Sequence, residues 1–285
     1  MSCKYKGFFM RILLLLLILF FQTLSYSAVA ETAPPQFAIG LGLDVATGTF
    51  GTGSTSTYVM VPLIIDWFPT ERSDLEISVP FLYQQTENTG HAALGTTANN
   101  SMQNSVARRN MAGSGGGGGT LGGEESGLGD ITLTGGYTLV QDSDSTPRIR
   151  SSLYMKFPTA DDSNGLGTGA FDFGSGVDIS KWLGNWQPFA EGRYIFQGGS
   201  HAETGARDYA TADTGVGYSW SERFYTSIYA RFGSAIAEGM SAPLEARLKT
   251  VWRFAELLYL DAYAAKGFSD GSPDYSGGIS VFVEF

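Results

Sequence analysis

Apolar and polar residues alternate along much of this chain. In the segment LEARLKTVWRF, Leu244, Leu248 and Trp252 share one face with small residues, while charged residues occupy most of the positions between them. A period of two places these two kinds of side chain on opposite faces of a β-strand. Comparable alternation recurs in about twelve segments of roughly ten residues, a length that suits a tilted membrane crossing better than the usual five or six. The pattern therefore predicts membrane-spanning strands.

The connections between the predicted strands show a second regularity. The strands centre on residues 37–46, 57–67, 74–84, 128–140, 148–158, 169–181, 187–197, 207–219, 223–233, 244–254, 257–266 and 276–285. Short turns such as FPTERS and SWSER alternate with longer segments rich in Gly, Thr, Ser and Asp. Outer-membrane barrels have this asymmetry, with short periplasmic turns and longer outside loops.

We therefore predict an all-β fold, a transmembrane antiparallel β-barrel of about twelve strands that is closed by pairing of the first and last strands. A soluble sheet also alternates, but the strand length and the loop asymmetry favour the barrel. An even number of strands places both ends of the barrel chain on the periplasmic side. The sequence shows no sign of a second domain or an extended linker.

The last residues of the chain, GGISVFVEF, support closure. Ile279, Val281, Val283 and Phe285 occupy every second position, so they face lipid if this strand pairs with the first. The terminal aromatic residue resembles the carboxy-terminal signal that outer-membrane barrels present to the barrel assembly machinery. We therefore expect two partners, the lipid of the outer membrane and this assembly machinery.

The amino-terminal residues have the composition of an export signal. Three basic residues precede the apolar run from Ile12 to Phe21, and small residues follow it. We interpret residues 1–30 as a cleaved signal peptide and residues 31–285 as a barrel domain in the bacterial outer membrane. A transmembrane anchor is the alternative, but the apolar run is short for a membrane span.

Charge and cysteine content narrow the partners further. The chain has 18 basic and 28 acidic residues, a net charge of −10, and removal of residues 1–30 changes the net charge to −13. Such an acidic chain is a poor partner for nucleic acid. Cys3 is the single cysteine and is lost with the signal, which leaves the mature chain without disulfides or thiolate metal ligands. Met1 and Met10 are both candidate starts.

Few residues suggest catalysis, a metal or a cofactor. The two histidines, His91 and His201, fall in predicted outside loops without the fixed spacing of metal ligands. Asp213-Thr214-Gly215 matches the aspartic-protease triplet, but a single copy within an alternating strand is most simply a lumen aspartate beside a lipid-facing threonine. We therefore expect a protein that is not an enzyme and that uses neither metal nor cofactor.

The longest connection, residues 85–126, contains the glycine-rich stretch GSGGGGGTLGGEESG. It lacks the Gly-Lys-Ser/Thr ending of a phosphate-binding loop, and Glu124 and Glu125 repel phosphate. We interpret this segment as a flexible outside loop. A plug that folds into the lumen is the open alternative.

Most of the charge falls on the inward faces of the predicted strands. The predicted lumen-lining set is Arg148, Arg150, Lys156, Glu191, Arg193, Asp213, Arg223, Arg231, Glu245, Arg247, Lys249, Arg253 and Asp261. Further inward acids are Asp44, Asp66, Glu76, Asp172 and Asp178. In one interpretation these charges pair and fill the lumen, because buried charges need partners. In the other they line an open polar path.

Four motifs in the middle of the chain carry a family resemblance. They are GLGD at residues 127–130, KFPTAD at 156–161, GTG at 167–169 and the hairpin return QPFAEGRYIF at 187–196. These motifs resemble those of the outer-membrane transporter family of the MetA pathway of phenol degradation. Arg193 departs from the less charged residue expected at its position. The resemblance implies a barrel that admits small aromatic or other catabolic compounds.

The sequence as a whole predicts an outer-membrane channel for passive uptake of small molecules. The alternative function is a closed structural or adhesive barrel whose outside loops bind partners. The two differ in whether a path crosses the lumen.

Overall fold

The computed structural model describes residues 36–50, 55–86, 124–162, 166–199 and 205–285. The strands are β1 (Phe37–Gly48), β2 (Ser56–Thr70), β3 (Ser73–Thr86), β4 (Glu124–Leu128), β5 (Ile131–Val140), β6 (Arg148–Phe157), β7 (Asp172–Ser180), β8 (Trp186–Phe196), β9 (Tyr209–Ser221), β10 (Phe224–Gly233), β11 (Leu244–Arg253), β12 (Leu258–Gly267) and β13 (Tyr275–Glu284). No helix in these ranges is both long enough and apolar enough to cross a membrane.

The strands form one closed antiparallel barrel. Each strand pairs with its neighbours in the chain, and β1 pairs with both β2 and β13, which closes the ring. β4 and β5 both pair with β3 and share one position in the ring, interrupted at residues 129–130. The predicted closed barrel of about twelve strands is therefore confirmed, with twelve strand positions.

The predicted strand bounds agree with the observed ones within three residues, except around the long connection. There, β3 continues to Thr86 and β4 begins at Glu124, so both strands extend into the segment that was predicted as an outside loop. Residues 87–123, the proposed signal at 1–30, and the histidines His91 and His201 lie outside the described residues.

The closing seam includes the last residue of the chain. Phe285 donates its backbone N–H to the carbonyl oxygen of Phe37 at 2.8 Å, and its own carbonyl accepts from Gln36 at 2.9 Å. Ile279 on β13 and Phe285 just after it are 46 % and 48 % exposed, whereas Val283, which was predicted to face lipid, is buried between its cross-strand neighbours Ile39 and Leu258. Phe285 is thus held by backbone hydrogen bonds to β1, which a fraying terminus lacks.

The strands keep the predicted alternation of exposed and buried side chains. On β11, Leu244 and Leu248 are exposed, whereas Glu245 and Arg247 between them are buried. Large apolar side chains such as Leu153 and Ile228, each 61 % exposed, cover the outer wall. The outer surface is therefore apolar and the interior is charged, which is the reverse of a soluble protein.

Candidate functional site

The barrel lumen contains a cavity of about 690 Å³, which we call the main cavity because it lies inside the ring. Its lining comes from β1–β3, β5, β6 and β8–β13, so it lies inside the ring rather than on its surface. The charged side chains that line it are Asp44, Asp66, Glu71, Arg72, Asp74, Glu76, Arg148, Arg150, Glu191, Arg193, Asp213, Arg231, Arg247, Lys249 and Asp261. We call the end of the barrel with the short turns, Phe37 and Phe285 the turn end, and the opposite end the loop end. The cavity reaches the β2–β3 connection at the turn end.

Nine members of the predicted lumen-lining set contribute to this cavity. They are Arg148, Arg150, Glu191, Arg193, Asp213, Arg231, Arg247, Lys249 and Asp261. Of the other four, Lys156 and Glu245 are buried near the loop end and Arg253 ends β11 at the turn end, whereas Arg223 lies in the exposed β9–β10 turn rather than on the inward face of a strand. Whether the nine act on a transported molecule stays a prediction.

Five of the seven cations that line the cavity form ion pairs, three with acids on other strands and two with acids on their own strand. Arg231 donates from both Nε and Nη2 to Asp213, at 2.8 and 2.6 Å, and Lys249 lies 2.7 Å from Asp261. Arg193 pairs with Glu191 on its own strand at 2.8 Å. The aspartate of the Asp213-Thr214-Gly215 triplet is therefore one half of an ion pair in the lumen.

Arg150 bridges two acids near the turn end. Its guanidinium donates to Asp74 on β3 and, at 2.7 Å, to Asp178 on β7. The guanidinium lies over Gly136 of β5, where a Cβ would come within 2.1 Å of Nη2. A glycine is therefore required at 136 for Arg150 to reach Asp74 across β5.

Lys156 and Glu245 do not line the cavity because both are fully buried near the loop end. The Lys156 ammonium donates to Thr168 at 2.6 Å and lies 2.7 Å from Asp172 and 3.4 Å from Asp130. Asp130 also accepts the backbone N–H of residue 160 at 3.1 Å. These contacts join the GLGD, KFPTAD and GTG motifs, so the three motifs form one buried polar cluster.

Arg223 and Arg253 line a second, smaller cavity of about 450 Å³ at the turn end. Arg253 forms a two-pronged ion pair with Glu284, and its guanidinium carbon lies 5.9 Å from the centre of the Tyr259 ring. Trp182, from the β7–β8 turn, packs edge-on against Tyr225 of this cavity. The turn-end mouth is therefore partly aromatic.

A partly buried ion pair fixes the β5–β6 connection against the β7–β8 connection at the turn end. The Lys181 ammonium lies 2.9 Å from Asp142, whose other carboxylate oxygen accepts the backbone N–H of Trp182 at 3.1 Å. The hydrogen bond from Lys181 lowers the pKa of Asp142 below its ordinary value.

The loop end of the lumen is filled by apolar side chains. One buried cluster consists of Phe50, Tyr58, Met60, Leu82 and Leu166, and the other of Tyr154, Ile195, Tyr209, Ile236 and Ala237. Met240 packs against both clusters. Because β2 and β9 lie opposite each other in the strand order, the two clusters together span the lumen. We call these eleven residues the apolar cap.

Hydrogen bonds tie the cap to the neighbouring connections. The side-chain amide of Gln197 donates to the carbonyl oxygens of Arg207 and Ile236, at 2.7 and 2.9 Å. An isolated β-bridge joins Ala206 to Ala237. The cap is thus a packed and hydrogen-bonded layer in which connections fold inward over side chains of the strands.

Sequence reasoning missed the cap, since its connection residues follow no strand period. The available signal was the presence of Phe50, Ile236 and Met240 in connections otherwise rich in Gly, Ser and Asp. Within the described ranges, no group of three or more His, Cys, Asp or Glu side chains is arranged to hold a metal ion.

Comparison with known proteins places this geometry in a family. Residues 70–285 match the family described as "Putative MetA-pathway of phenol degradation". The crystal structure of the COG4313 outer membrane channel from Pseudomonas putida F1 superposes with a TM-score of 0.62 at 16 % identity, covering 91 % of this chain and 100 % of that one. The KdgM porin gives a TM-score of 0.49 at 7 % identity, covering 87 % and 99 %.

The P. putida toluene transporter TodX gives a TM-score of 0.43 at 10 % identity, covering 89 % of this chain and 91 % of that one. No curated protein matches the sequence. The family match spans most of the chain and includes all four motifs, and the closed twelve-stranded barrel agrees with it. The chain therefore belongs to this family of outer-membrane β-barrels.

Proposed function

We propose that this protein is an outer-membrane channel that admits small molecules through its lumen. The observation that carries the proposal is the charged cavity of about 690 Å³ inside a barrel with an apolar outer wall. A packed barrel core has no need of a cavity of this size, which is in the range of small-molecule sites. The turn end faces the periplasm and the loop end faces outside, as in other barrels of this class.

The apolar cap makes a closed barrel the second candidate function. In that case the protein serves as a structural or adhesive barrel, and its outside loops bind partners. The cap fills the loop end across the ring, and the main cavity lies on its turn-end side. For a channel, the same cap is the barrier that must move for a molecule to pass.

Three finer points belong to the same proposal. Residues 1–30 direct export and are cleaved, after which the carboxy-terminal strand is recognised by the barrel assembly machinery. Passage through the lumen is passive. The substrates are small catabolic compounds, including aromatic ones, as the family description suggests.

Planar-bilayer recording on the purified mature protein tests the proposal. A channel gives voltage-driven ion current in discrete steps, with a conductance limited by the cap. Folded protein, verified by heat-dependent gel mobility, that inserts without any current favours the closed barrel.

A further inference from the structure

The second cavity at the turn end is lined by aromatic side chains as well as by charges. Trp182 comes from the β7–β8 turn, Tyr225 from β10 and Tyr259 from β12. Tyr225 has the same strand parity as Arg231, and Tyr259 has the same parity as Asp261, both of which line the main cavity. The two tyrosines therefore point inward, so the second cavity belongs to the mouth of the lumen.

Trp182 differs from the other large apolar residues of its hairpin. Leu183 and Trp186 are exposed but do not line the second cavity. Trp182 lines it, and its indole packs edge-on against Tyr225 with the ring centroids 6.1 Å apart. Its backbone N–H donates to Asp142 at 3.1 Å, and the residue remains 40 % exposed. The indole is thus held in a fixed position with free surface, as in a preorganised binding site.

Hydrogen-bond donors without partners accompany these rings. The Arg223 guanidinium makes no hydrogen bond or ion pair with any residue in the described ranges. Gln187 accepts from the Tyr225 hydroxyl through Oε1 at 2.9 Å, and its Nε2 has no partner in the same part of the chain. Both residues line the second cavity. The mouth therefore offers N–H groups that the chain itself does not use.

The acids of this cavity do not occupy those donors. Glu284 accepts from Arg253 through both carboxylate oxygens, so this pair is complete. Glu222 lies beside Arg223 in the β9–β10 turn and also lines the cavity, but it forms no ion pair with a residue that the structure describes. A carboxylate from outside the chain is the acceptor that best matches a guanidinium. Glu222 repels such an anion and weakens its binding.

We propose that the second cavity binds small aromatic carboxylates, which makes these anions a preferred substrate class of the channel. The aromatic ring lies against Trp182 and the neighbouring tyrosines, and the carboxylate accepts hydrogen bonds from Arg223 and Gln187. The cavity of about 450 Å³ has room for one substituted benzene ring. The inference rests on the proposed function for its meaning as substrate selection, whereas the binding itself does not require transport.

Saturation-transfer NMR titrations on the detergent-solubilised mature protein compare three probes, with protein-free micelles as the background. Benzoate has the aromatic ring and the charge, cyclohexanecarboxylate has the charge alone, and benzyl alcohol has the ring alone. We expect benzoate to bind about two- to tenfold more tightly than cyclohexanecarboxylate, because aromatic pairs gain more than their buried area. We expect about fivefold over benzyl alcohol, because charge-assisted hydrogen bonds exceed neutral ones. Equal affinities in either comparison overturn the proposal.

Arg223→Gln and Trp182→Leu locate the site. Arg223→Gln should lower benzoate affinity about tenfold, and Trp182→Leu should reduce the preference over cyclohexanecarboxylate, which Trp182→Phe should retain. Arg148→Gln is the control for the first, since Arg148 also forms no ion pair in the described ranges but lines the main cavity. Trp220→Leu is the control for the second, since Trp220 is 64 % exposed and lies outside the cavity. Benzoate affinity that is unchanged by Arg223→Gln, or lowered equally by Arg148→Gln, refutes the assignment.

Glu222→Gln tests the sign of the charge effect. Removal of this acid should raise benzoate affinity about twofold and leave the affinity for benzyl alcohol unchanged. An equal or lower benzoate affinity contradicts the proposed site. Trp182, Glu222 and Arg223 all lie in turns, and heat-dependent gel mobility verifies that each variant folds.

The outcome separates this inference from the proposed function. Ion current through the barrel without a benzoate preference refutes the binding site alone. Benzoate binding in a barrel that passes no current supports the second cavity as a binding site and refutes the channel.

Discussion

The loop end and the turn end of the lumen are built on the same inward strand positions but have opposite contents. At the loop end, Tyr58, Met60 and Tyr209 point inward and are covered by connections that fold back over them. Toward the turn end, Arg150, Asp213 and their neighbours point inward and surround a cavity. The short turns are too short to fold into the lumen and fill it, whereas the long connections can do so.

This difference indicates that the two ends of the twelve-stranded barrel have different roles. The cap behaves as a hydrophobic core, where burial supplies stability. The cavity instead holds charged side chains, most of whose cations form ion pairs. Substitutions at the two ends should therefore have different effects. At the loop end they should lower stability or loosen the packing, and at the turn end they should alter ion selectivity.

The largest effect on stability is expected from Lys156→Met at the loop end. It leaves Asp130 and Asp172 buried without their cation, at a cost of about 3–5 kcal/mol. Thermal unfolding followed by heat-dependent gel mobility measures the loss. A melting temperature equal to that of the unchanged protein contradicts the assignment of the cluster.

Lys249→Gln tests the role of the charged cavity in ion selectivity. Lys249 is 39 % exposed to the cavity, so its loss should shift ion preference toward cations, with a smaller loss of stability than Lys156→Met. The reversal potential in a salt gradient measures the preference. Lys266→Gln is the control, since Lys266 lies on β12 over the Tyr275 ring and does not line the cavity. Equal shifts in both variants exclude a lumen effect.

Tyr154→Phe should stabilise the protein in the absence of ligand. It removes a buried hydroxyl that has no partner, and we expect a gain of about 1 kcal/mol. The control is Tyr225→Phe, which breaks the hydrogen bond that Tyr225 donates to Gln187 at 2.9 Å and should destabilise slightly. Destabilisation by Tyr154→Phe indicates a hydrogen bond to that hydroxyl and contradicts its assignment as unpaired.

The smallest effect concerns pH at the turn end. Lys181 lowers the pKa of Asp142 in the folded protein, so this pair stabilises at neutral pH, and its contribution is lost as the pH falls through that lowered value. Asp142→Asn should therefore lower the melting temperature slightly at pH 7 and leave it unchanged at a pH well below 3.8, the ordinary value. A difference that grows on acidification contradicts this sign.

The strands and the outer wall could be predicted because a period of two, repeated over about ten residues, has few other physical causes. The inward position of Arg231 and Asp213 followed from the same parity. Their pairing did not, because parity fixes the face of a strand and not the register with the next one. Register also decides that Arg150 reaches Asp74, 76 residues away in the chain.

The cap and the facing positions of Asp66 and Glu76 could not be predicted, for two different reasons. Ile236 and Met240 lie in a connection, where no periodicity indicates which way a side chain points. Asp66 and Glu76 were assigned inward correctly, but only the register shows that they face each other and lack partners. The break at residues 129–130 was also not predicted, although the outward parity changes there, from the even-numbered Leu128 on β4 to the odd-numbered Leu139 on β5.

The central claim is that the lumen is a path closed by the apolar cap, and current through a loosened cap tests it most directly. Ile236→Gly combined with Met240→Gly removes the side chains that join the two clusters. Phe268→Gly is the control, because Phe268 is an apolar residue of a connection but is 63 % exposed. In planar bilayers at equal voltage, we expect a several-fold larger single-channel current in the folded double variant and an unchanged current in the control. A folded double variant whose current equals that of the unchanged protein, or that remains silent, contradicts the claim.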